Sequence, residues 1–391
     1  MSLRELPPEQ TISSRWTHLR YVPLVILVVL VVVATGVGLW ARSNQAAPPT
    51  PDPAGTPAAP VAQRLPDVCR TPTEVPSAAP WSADNAGASE AVWNEHAEET
   101  ANVVLGQDRW VFWGDLQNNN FSQALGRRTL SAEELESWRS YIANLDTTLT
   151  EAGIEFYVVI APAKWAIYPE ELPTWAESIR GPGPLDQLMA AGGDLPLIDL
   201  RESLREASAE TQTFSRYNSH WTSFGALTGW NTIAECLNAN EADLAITPNP
   251  IDGVTLVEDY NEFGNYGVEL EEADWTEPVF TPPLAPIELT IAGGDPSTIE
   301  GNRWTTFDDM PALSRNESAA TDASVLFAGD SFGIIMSPYY QQAFREVRTL
   351  RHNLDADPSE RPDIAELALA TRPDIVILEI AQRHLNRPPT P

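Results

Sequence analysis

Short, uninterrupted apolar runs recur along this 391-residue chain, separated by segments with helical periodicity. The runs are Glu155–Ala161 (EFYVVIA), Leu195–Leu200 (LPLIDL), Ser324–Ala328 (SVLFA) and Asp374–Ile380 (DIVILEI). A strand that is apolar at nearly every position needs cover on both faces, which helices supply in α/β proteins. The pattern therefore predicts an α/β fold with a doubly wound, mostly parallel sheet.

A helix is predicted directly before the first of these strands. Ser131 and Glu134 have the spacing of a capping box, and apolar residues recur at helical spacing from Leu135 to Leu149 until Gly153.

The N-terminal region contains the uncharged apolar run Tyr21–Trp40, whose 20 residues would span roughly 30 Å as a helix. Arginines precede the run and Trp16 and Trp40 bracket it, as expected at a membrane interface. We expect a cytoplasmic tail over 1–20, a single-pass transmembrane anchor over 21–40, and an extracytoplasmic remainder at the cell membrane. A cleaved signal peptide is the alternative.

Residues 41–80 are rich in Pro, Ala and Thr, a composition that favours an extended stalk over a packed core. Folding is expected to begin near Trp81, or slightly earlier at Cys69. Cys69 and Cys236 are the two cysteines of the chain, and outside the cell a disulfide between them is favoured over two free thiols.

The chain has a formal net charge of -31, and residues 241–320 hold 17 acidic residues against Arg303 and Arg315. Such a surface excludes binding to nucleic acids, which requires clustered Lys and Arg. We interpret 241–320 as an acidic, β-rich insertion beside the main sheet, with 81–240 and 321–391 forming the principal domain. No calcium-loop motif, metal-ligand spacing or phosphate-binding loop is present, so we expect no metal or cofactor.

A candidate nucleophile lies in the motif Gly329-Asp330-Ser331-Phe332-Gly333, directly after the strand Ser324–Ala328. A serine at such a turn presents its hydroxyl at the carboxyl edge of a sheet, close to N–H groups that can stabilise an oxyanion. A serine that only caps the next helix would give the same pattern. The motif also fits the nucleophile elbow of α/β-hydrolases, but too little chain follows it for the later strands of that fold.

The candidate base is His220 in Asn218-Ser219-His220-Trp221, between a predicted strand, Thr213–Tyr217, and a helical pattern. The remaining histidines, at 18, 96, 352 and 384, lack comparable surroundings.

The two motifs, YNSHW and then GDSF, resemble those of the alginate O-acetyltransferase family of AlgJ and AlgX type, which is SGNH-hydrolase-like. Further similarity extends over 106–112 (GQDRWVF), 158–173 (VVIAPAK, YP and LP) and 373–385 (PDIVILEIAQRHL). The resemblance implies that Ser331 is the nucleophile, His220 the general base and Asn218 the group that orients His220. The family usually has Asp at this last position, and an amide supplies no charge. Asp330 and Asp115 are candidate substitutes.

The implied function is a membrane-anchored O-acetyltransferase that moves an acetyl group through a Ser acyl-enzyme to a cell-surface or exported polysaccharide. The family further implies a membrane-bound acyl-transfer partner protein. The net charge favours a neutral or weakly acidic glycan over a polyuronate. Candidate supporting residues for the oxyanion or substrate are Gly329, Asp330, Lys164 and Trp221, and Trp165 is a second groove candidate. The alternatives are an SGNH-type carbohydrate esterase and a glycan-binding or assembly protein that has lost catalysis.

Overall fold

The computed structural model describes residues 64–389, except 72, 242–243, 249 and 259. The strands are β1 (Val103–Leu105), β2 (Val111–Trp113), β3 (Glu155–Ala161), β4 (Leu197–Asp199), β5 (Gly253–Val257), β6 (Trp275–Val279), β7 (Ile287–Ile291), β8 (Ser297–Ile299), β9 (Ala312–Arg315), β10 (Thr321–Gly329), β11 (Phe344–Arg351) and β12 (Ile375–Ala381). The α-helices are α1 (Ala86–Glu95), α2 (Asn120–Ala124), α3 (Ala132–Glu151), α4 (Lys164–Ile167), α5 (Thr174–Glu177), α6 (Pro184–Ala191), α7 (Arg201–Ser208), α8 (Ser223–Asn240), α9 (Ser331–Ala343) and α10 (Ile364–Thr371).

A central eight-stranded sheet has the order β4-β3-β12-β10-β11-β9-β7-β8. The first five strands in that order run parallel, and β9, β7 and β8 continue the sheet with antiparallel pairing. The predicted α/β class is confirmed, but the sheet is mixed. Because the carboxyl ends of parallel strands share one edge, residues that follow β3, β10 and β12 are brought together there.

The acidic segment 241–320 contributes three strands, β7 to β9, to the main sheet instead of standing wholly beside it. In β7, Ile287 and Leu289 are buried while Glu288 between them is exposed. This alternation is typical of an antiparallel strand with one solvated face, so acidic residues are accommodated within the sheet. A separate two-stranded sheet joins β5 and β6.

Helices cover both faces of the sheet and complete two apolar clusters. On one face, α3 packs against the sheet through its apolar residues Trp138, Ile142 and Leu149. The opposite face contains Trp221, Trp230 and other aromatic residues of the α7–α9 side. The predicted capping box of α3 is present, with Ser131 accepting from the Glu134 N–H and Glu134 accepting from the Ser131 N–H.

Residues that precede Trp81 pack against the domain. Leu65 and Cys69 are buried in the core, and Cys69 forms a disulfide with Cys236 of α8. The bridge therefore fixes the segment around Cys69, predicted as the end of the stalk, to the domain. The predicted tail, anchor and first part of the stalk, at 1–63, lie outside the described residues. Within residues 64–389, no helix combines the length and apolar character that crossing a bilayer requires.

Candidate active site

Ser331 is the first residue of α9, directly after the turn that leaves β10. Asp330 caps the helix: its Oδ1 accepts the Phe332 N–H at 3.0 Å, and its Oδ2 accepts the Ala381 N–H at 2.7 Å. The second bond fastens the turn to the end of β12. Asp330 therefore caps α9 and fixes the position of Ser331, where we had expected an oxyanion or substrate contact.

The two glycines of the motif make room for a buried carboxyl group beneath the turn. Glu379 Oε2 accepts the N–H groups of Asp330 (2.9 Å) and Gly333 (3.1 Å). A Cβ atom at Gly329 or at Gly333 would lie 2.7 Å from the Phe327 ring and 3.0 Å from Glu379. Gly329 thus has a spacing function in the turn, whereas we had expected an oxyanion or substrate contact.

The environment of Glu379 favours its neutral form. Burial, followed by the negative charge of Asp330, raises the pKa of Glu379 well above its usual value. The nearby Asp330 carboxyl behaves in the opposite way. Burial alone would raise its pKa, but contacts with His352 and His384 outweigh burial and hold the pKa well below the usual range.

His220 connects Ser331 with Asn218. His220 Nε2 lies 2.7 Å from Ser331 Oγ, and His220 Nδ1 lies 2.8 Å from Asn218 Oδ1. Asn218 Oδ1 also accepts the His220 backbone N–H at 3.1 Å, which orients the amide. Because Oδ1 is an acceptor, we assign the ring proton to Nδ1, which leaves Nε2 free to accept the Ser331 hydroxyl proton.

The imidazole is neutral at physiological pH. Burial, followed by the positive charge of Arg383, lowers the pKa of His220 to about 4, while Glu262 and Asp330 oppose this shift. A neutral imidazole in contact with a serine hydroxyl can remove its proton, so the arrangement is suited to nucleophilic acyl chemistry.

The loop that carries His220 is held by a buried lysine. Lys164 Nζ donates to the carbonyl oxygens of Ser215 (3.0 Å), Arg216 (2.9 Å) and Asn218 (3.0 Å). Burial lowers the pKa of Lys164 to about 7. These contacts make Lys164 a support of the His220 loop, where we had expected an oxyanion or substrate contact.

Two other predictions for this loop also differ from the structure. Thr213–Tyr217, predicted as a strand, contains only one bridge pair, Phe214 with Trp221. Trp221, predicted to line a groove, is fully buried, and its Nε1–H donates to the Phe332 oxygen at 3.1 Å. This bond links the His220 loop to α9. Trp165 is also buried, and its Nε1–H donates to Asn120.

Neither carboxylate proposed as a substitute for the missing Asp contacts His220 in the observed hydrogen bonds. Asp115 accepts from the Ser122 N–H and hydroxyl at 2.8 and 2.6 Å. Asp330 is occupied by the contacts described above.

Four residues near the site were missed by sequence reasoning. Arg383 Nη2 lies 3.3 Å from Ser331 Oγ, and Glu262 accepts from the loop residue Ser219. His384 Nδ1 and His352 Nε2 lie 3.2 and 3.6 Å from Asp330 Oδ2. Both histidines follow the carboxyl ends of parallel strands, β12 and β11, and this position was a signal that could have identified them.

A cleft of about 230 Å³ opens at Ser331. Three arginines line it, Arg351, Arg383 and Arg387, against two acidic residues, Asp330 and Asp355. Although the chain is strongly acidic, the space next to the candidate nucleophile is therefore locally basic. In the part of the chain that the structure describes, no group of His, Cys, Asp and Glu is arranged to hold a metal ion.

Comparison with known proteins shows what part of the chain is similar to. Residues 103–260 match the family model of the SGNH hydrolase-like domain of the acetyltransferase AlgX. The probable alginate O-acetylase AlgJ of Pseudomonas aeruginosa is 30% identical over 141 residues, covering 35% of this chain and 32% of that protein. The AlgJ protein of Pseudomonas putida is 28% identical over 138 residues, 35% and 34% of the two chains. The matched region thus spans about a third of the length of these relatives.

A solved structure agrees on the fold. Bacillus cereus PatB1 superposes with a TM-score of 0.52 and 16% identity, covering 73% of this chain and 97% of that one. The match to the family model and to the two AlgJ proteins confirms the family resemblance seen in the motifs. Over residues 103–260, this chain is similar to SGNH hydrolase-like domains of the AlgJ/AlgX type.

Proposed function

We propose that this chain is an O-acetyltransferase that moves an acetyl group to a glycan through an acetyl-Ser331 intermediate. The observation that carries the proposal is the 2.7 Å contact between His220 Nε2 and Ser331 Oγ, with Asn218 holding the opposite ring nitrogen. The relatives named as probable alginate O-acetylases support acetyl transfer as the reaction.

In the first half-reaction, Ser331 Oγ attacks the carbonyl carbon of a donor acetyl ester while His220 Nε2 accepts the hydroxyl proton. The tetrahedral intermediate collapses to acetyl-Ser331, and His220 returns the proton to the leaving donor alcohol. In the second half-reaction, a glycan hydroxyl loses its proton to His220 and attacks the acetyl carbon. Ser331 Oγ leaves and recovers the proton, so the enzyme is regenerated.

The negative oxygen of the tetrahedral intermediate requires nearby positive potential. The amino end of α9, where Ser331 is the first helical residue, contributes through the helix dipole, while its Phe332 and Gly333 N–H groups are bound to Asp330 and Glu379. Arg383 adds a guanidinium 3.3 Å from Ser331 Oγ.

We further propose that residues 21–40 anchor the enzyme in the cell membrane with the domain outside the cell, where a membrane-bound partner delivers the acetyl group. The 20-residue apolar run supports the anchor. Delivery by a partner follows from the chemistry, since an acetyl donor made in the cytoplasm must cross the bilayer to reach Ser331.

The acceptor is proposed to carry an anionic group on the sugar that enters the cleft. Whole-chain charge had favoured a neutral glycan, but Arg351, Arg383 and Arg387 surround the space at Ser331. Local charge of this kind can offset long-range repulsion, because interactions between exposed charges are screened beyond about 8–10 Å in physiological salt. An Arg387→Gln change is expected to raise the KM for an anionic oligosaccharide about tenfold.

The test combines the full-length protein with an acetyl ester donor and either neutral or uronic acid oligosaccharides. Mass analysis of the glycans and measurement of free acetate separate transfer from hydrolysis. The proposal expects acetylated uronic acid oligosaccharide that is absent with Ser331→Ala. Free acetate alone, whichever acceptor is added, would identify an esterase. Glycan binding without any acetyl turnover would identify a binding protein.

A further inference from the structure

Glu262 belongs to the acidic segment but contacts the loop that carries His220. Its Oε2 accepts the Ser219 N–H at 2.6 Å, and its Oε1 accepts the Trp113 Nε1–H at 3.2 Å. Its own N–H donates to the Tyr217 oxygen at 3.0 Å. Two hydrogen bonds to the half-buried carboxylate and one from the backbone therefore fix Glu262 against the residue between Asn218 and His220.

A negative charge at this position answers a requirement of the proposed mechanism. When His220 accepts the Ser331 proton it becomes positive, and Asn218 offers a hydrogen bond but no charge. The charged groups that influence His220 are Arg383 and Lys164, which are positive, and Glu262 and Asp330, which are negative. The two cations disfavour an imidazolium, so the carboxylates must offset them.

Of the two carboxylates, Glu262 is the better suited. Asp330 already contacts His352 and His384 and caps α9. Glu262 instead accepts the backbone N–H of Ser219, the residue directly before His220.

We propose that Glu262 is a positioning residue that supplies the negative charge which the usual Asp would supply at position 218. In this arrangement the amide of Asn218 fixes the tautomer of His220, and the carboxylate of Glu262 stabilises the imidazolium through space. Orientation and charge, normally combined in one residue, are divided between two. This inference rests on the proposed Ser331–His220 chemistry.

Electrostatic coupling between the two groups agrees with the geometry. Burial alone would raise the pKa of Glu262, but the charge of His220 and the Ser219 N–H outweigh burial and leave that pKa below its usual value. Reciprocally, Glu262 raises the pKa of His220 against the larger effects of burial and Arg383. Removing the carboxylate charge should therefore make His220 a weaker base.

The experiment compares the full-length wild type with Glu262→Gln, Asn218→Asp and the double variant. Acetylation of Ser331 by p-nitrophenyl acetate is followed as a function of pH. We expect Glu262→Gln to lower the rate by roughly ten- to a hundredfold, because the variant loses one short-range attraction between unit charges in the transition state. Asn218→Asp in the Glu262→Gln background should restore most of the lost rate. If Glu262→Gln only disturbed the structure of the loop, a new carboxylate at position 218 would not restore the rate. Glu269→Gln removes one exposed charge from the same segment and is the matched control.

An NMR titration of His220 in the same variants measures the coupling without requiring turnover. Glu262→Gln should lower the pKa of His220, and Asn218→Asp should raise it. An unchanged pKa in folded Glu262→Gln, or wild-type rates in that variant, would overturn the inference. If the wild type itself fails to acetylate Ser331, the proposed function fails, and the titration still decides whether Glu262 supplies the charge.

Discussion

At the scale of single residues, the site differs from a Ser-His-Asp triad because an amide, which carries no charge, replaces the carboxylate. Asn218 Oδ1 occupies the position of a carboxylate oxygen, 2.8 Å from His220 Nδ1, and preserves the orientation of the ring. Burial and Arg383 together lower the pKa of His220 to about 4. The imidazole is therefore available as a base over a wide pH range but is a weak one.

The pH dependence of Ser331 acetylation follows from this value. Neutral His220 is required, and its fraction falls only as pH drops through the pKa, so the rate should be flat from about pH 6 to 8 and decline near pH 4. A stopped-flow pH profile with p-nitrophenyl acetate measures this. A midpoint near the ordinary histidine value, about 6.5, would contradict the described environment.

Glu379 provides a second residue-scale prediction. Its raised pKa means that the folded protein holds a proton which the unfolded chain releases above its ordinary pKa, so the wild type loses stability as pH rises through that range. Glu379→Gln stays neutral and retains an acceptor for the Asp330 and Gly333 N–H groups. In urea denaturation, the stability of Glu379→Gln relative to wild type should therefore be greater at pH 8 than at pH 5. An equal difference at both pH values would show that Glu379 is ionised in the folded state.

At the scale of elements, the site depends on how two segments approach each other. The His220 loop precedes α8, Ser331 begins α9, and Trp221 links them by its bond to the Phe332 oxygen. The strands β3, β10 and β12 were predictable from the sequence, because each consists of a continuous apolar run that requires burial on both faces. The outcome for Thr213–Tyr217 was not predictable, because it depends on distant contacts: Lys164 binds the carbonyl oxygens of Ser215 and Arg216.

Trp221→Phe tests this link. The change removes one buried hydrogen bond and keeps the aromatic packing against Phe332, whose ring centroid lies 5.0 Å away. We expect a loss of about 1–2 kcal/mol in unfolding free energy and a roughly tenfold lower kcat with little change in KM, because alignment of His220 and Ser331 loosens. Steady-state kinetics and denaturation on the same sample measure both. An unchanged kcat would mean that α9 and the loop are aligned without this bond.

At the scale of the whole molecule, pairing between distant segments determines what sequence reasoning could not supply. The strands β7 to β9 join the main sheet because β9 pairs with β11 and β7 pairs with β9. Glu262 was one of many acidic residues in 241–320, and only the folded chain distinguishes it by its contact with Ser219. The motifs identified Ser331, His220 and Asn218 as a group, whereas Arg383 and Glu262 became apparent from tertiary contacts.

The disulfide is a whole-molecule constraint. Cys69 and Cys236 are 167 residues apart, so their bond restricts a long loop in the unfolded chain. The chain-entropy relation gives a stabilisation of up to about 5 kcal/mol for a loop of this length. We expect Cys69→Ser/Cys236→Ser to lower the unfolding free energy by roughly 3–5 kcal/mol, as measured with denaturant. A difference below about 1 kcal/mol would show that the bridge contributes little to the fold.

The central claim is that Ser331 forms an acyl-enzyme with His220 as its base. Full-length protein is incubated with p-nitrophenyl acetate, and nitrophenol release and intact mass are followed together. We predict a single acetyl adduct in the wild type that is absent in Ser331→Ala and strongly delayed in His220→Ala. An adduct that persists in Ser331→Ala, or a folded wild type with neither adduct nor release, would contradict the claim.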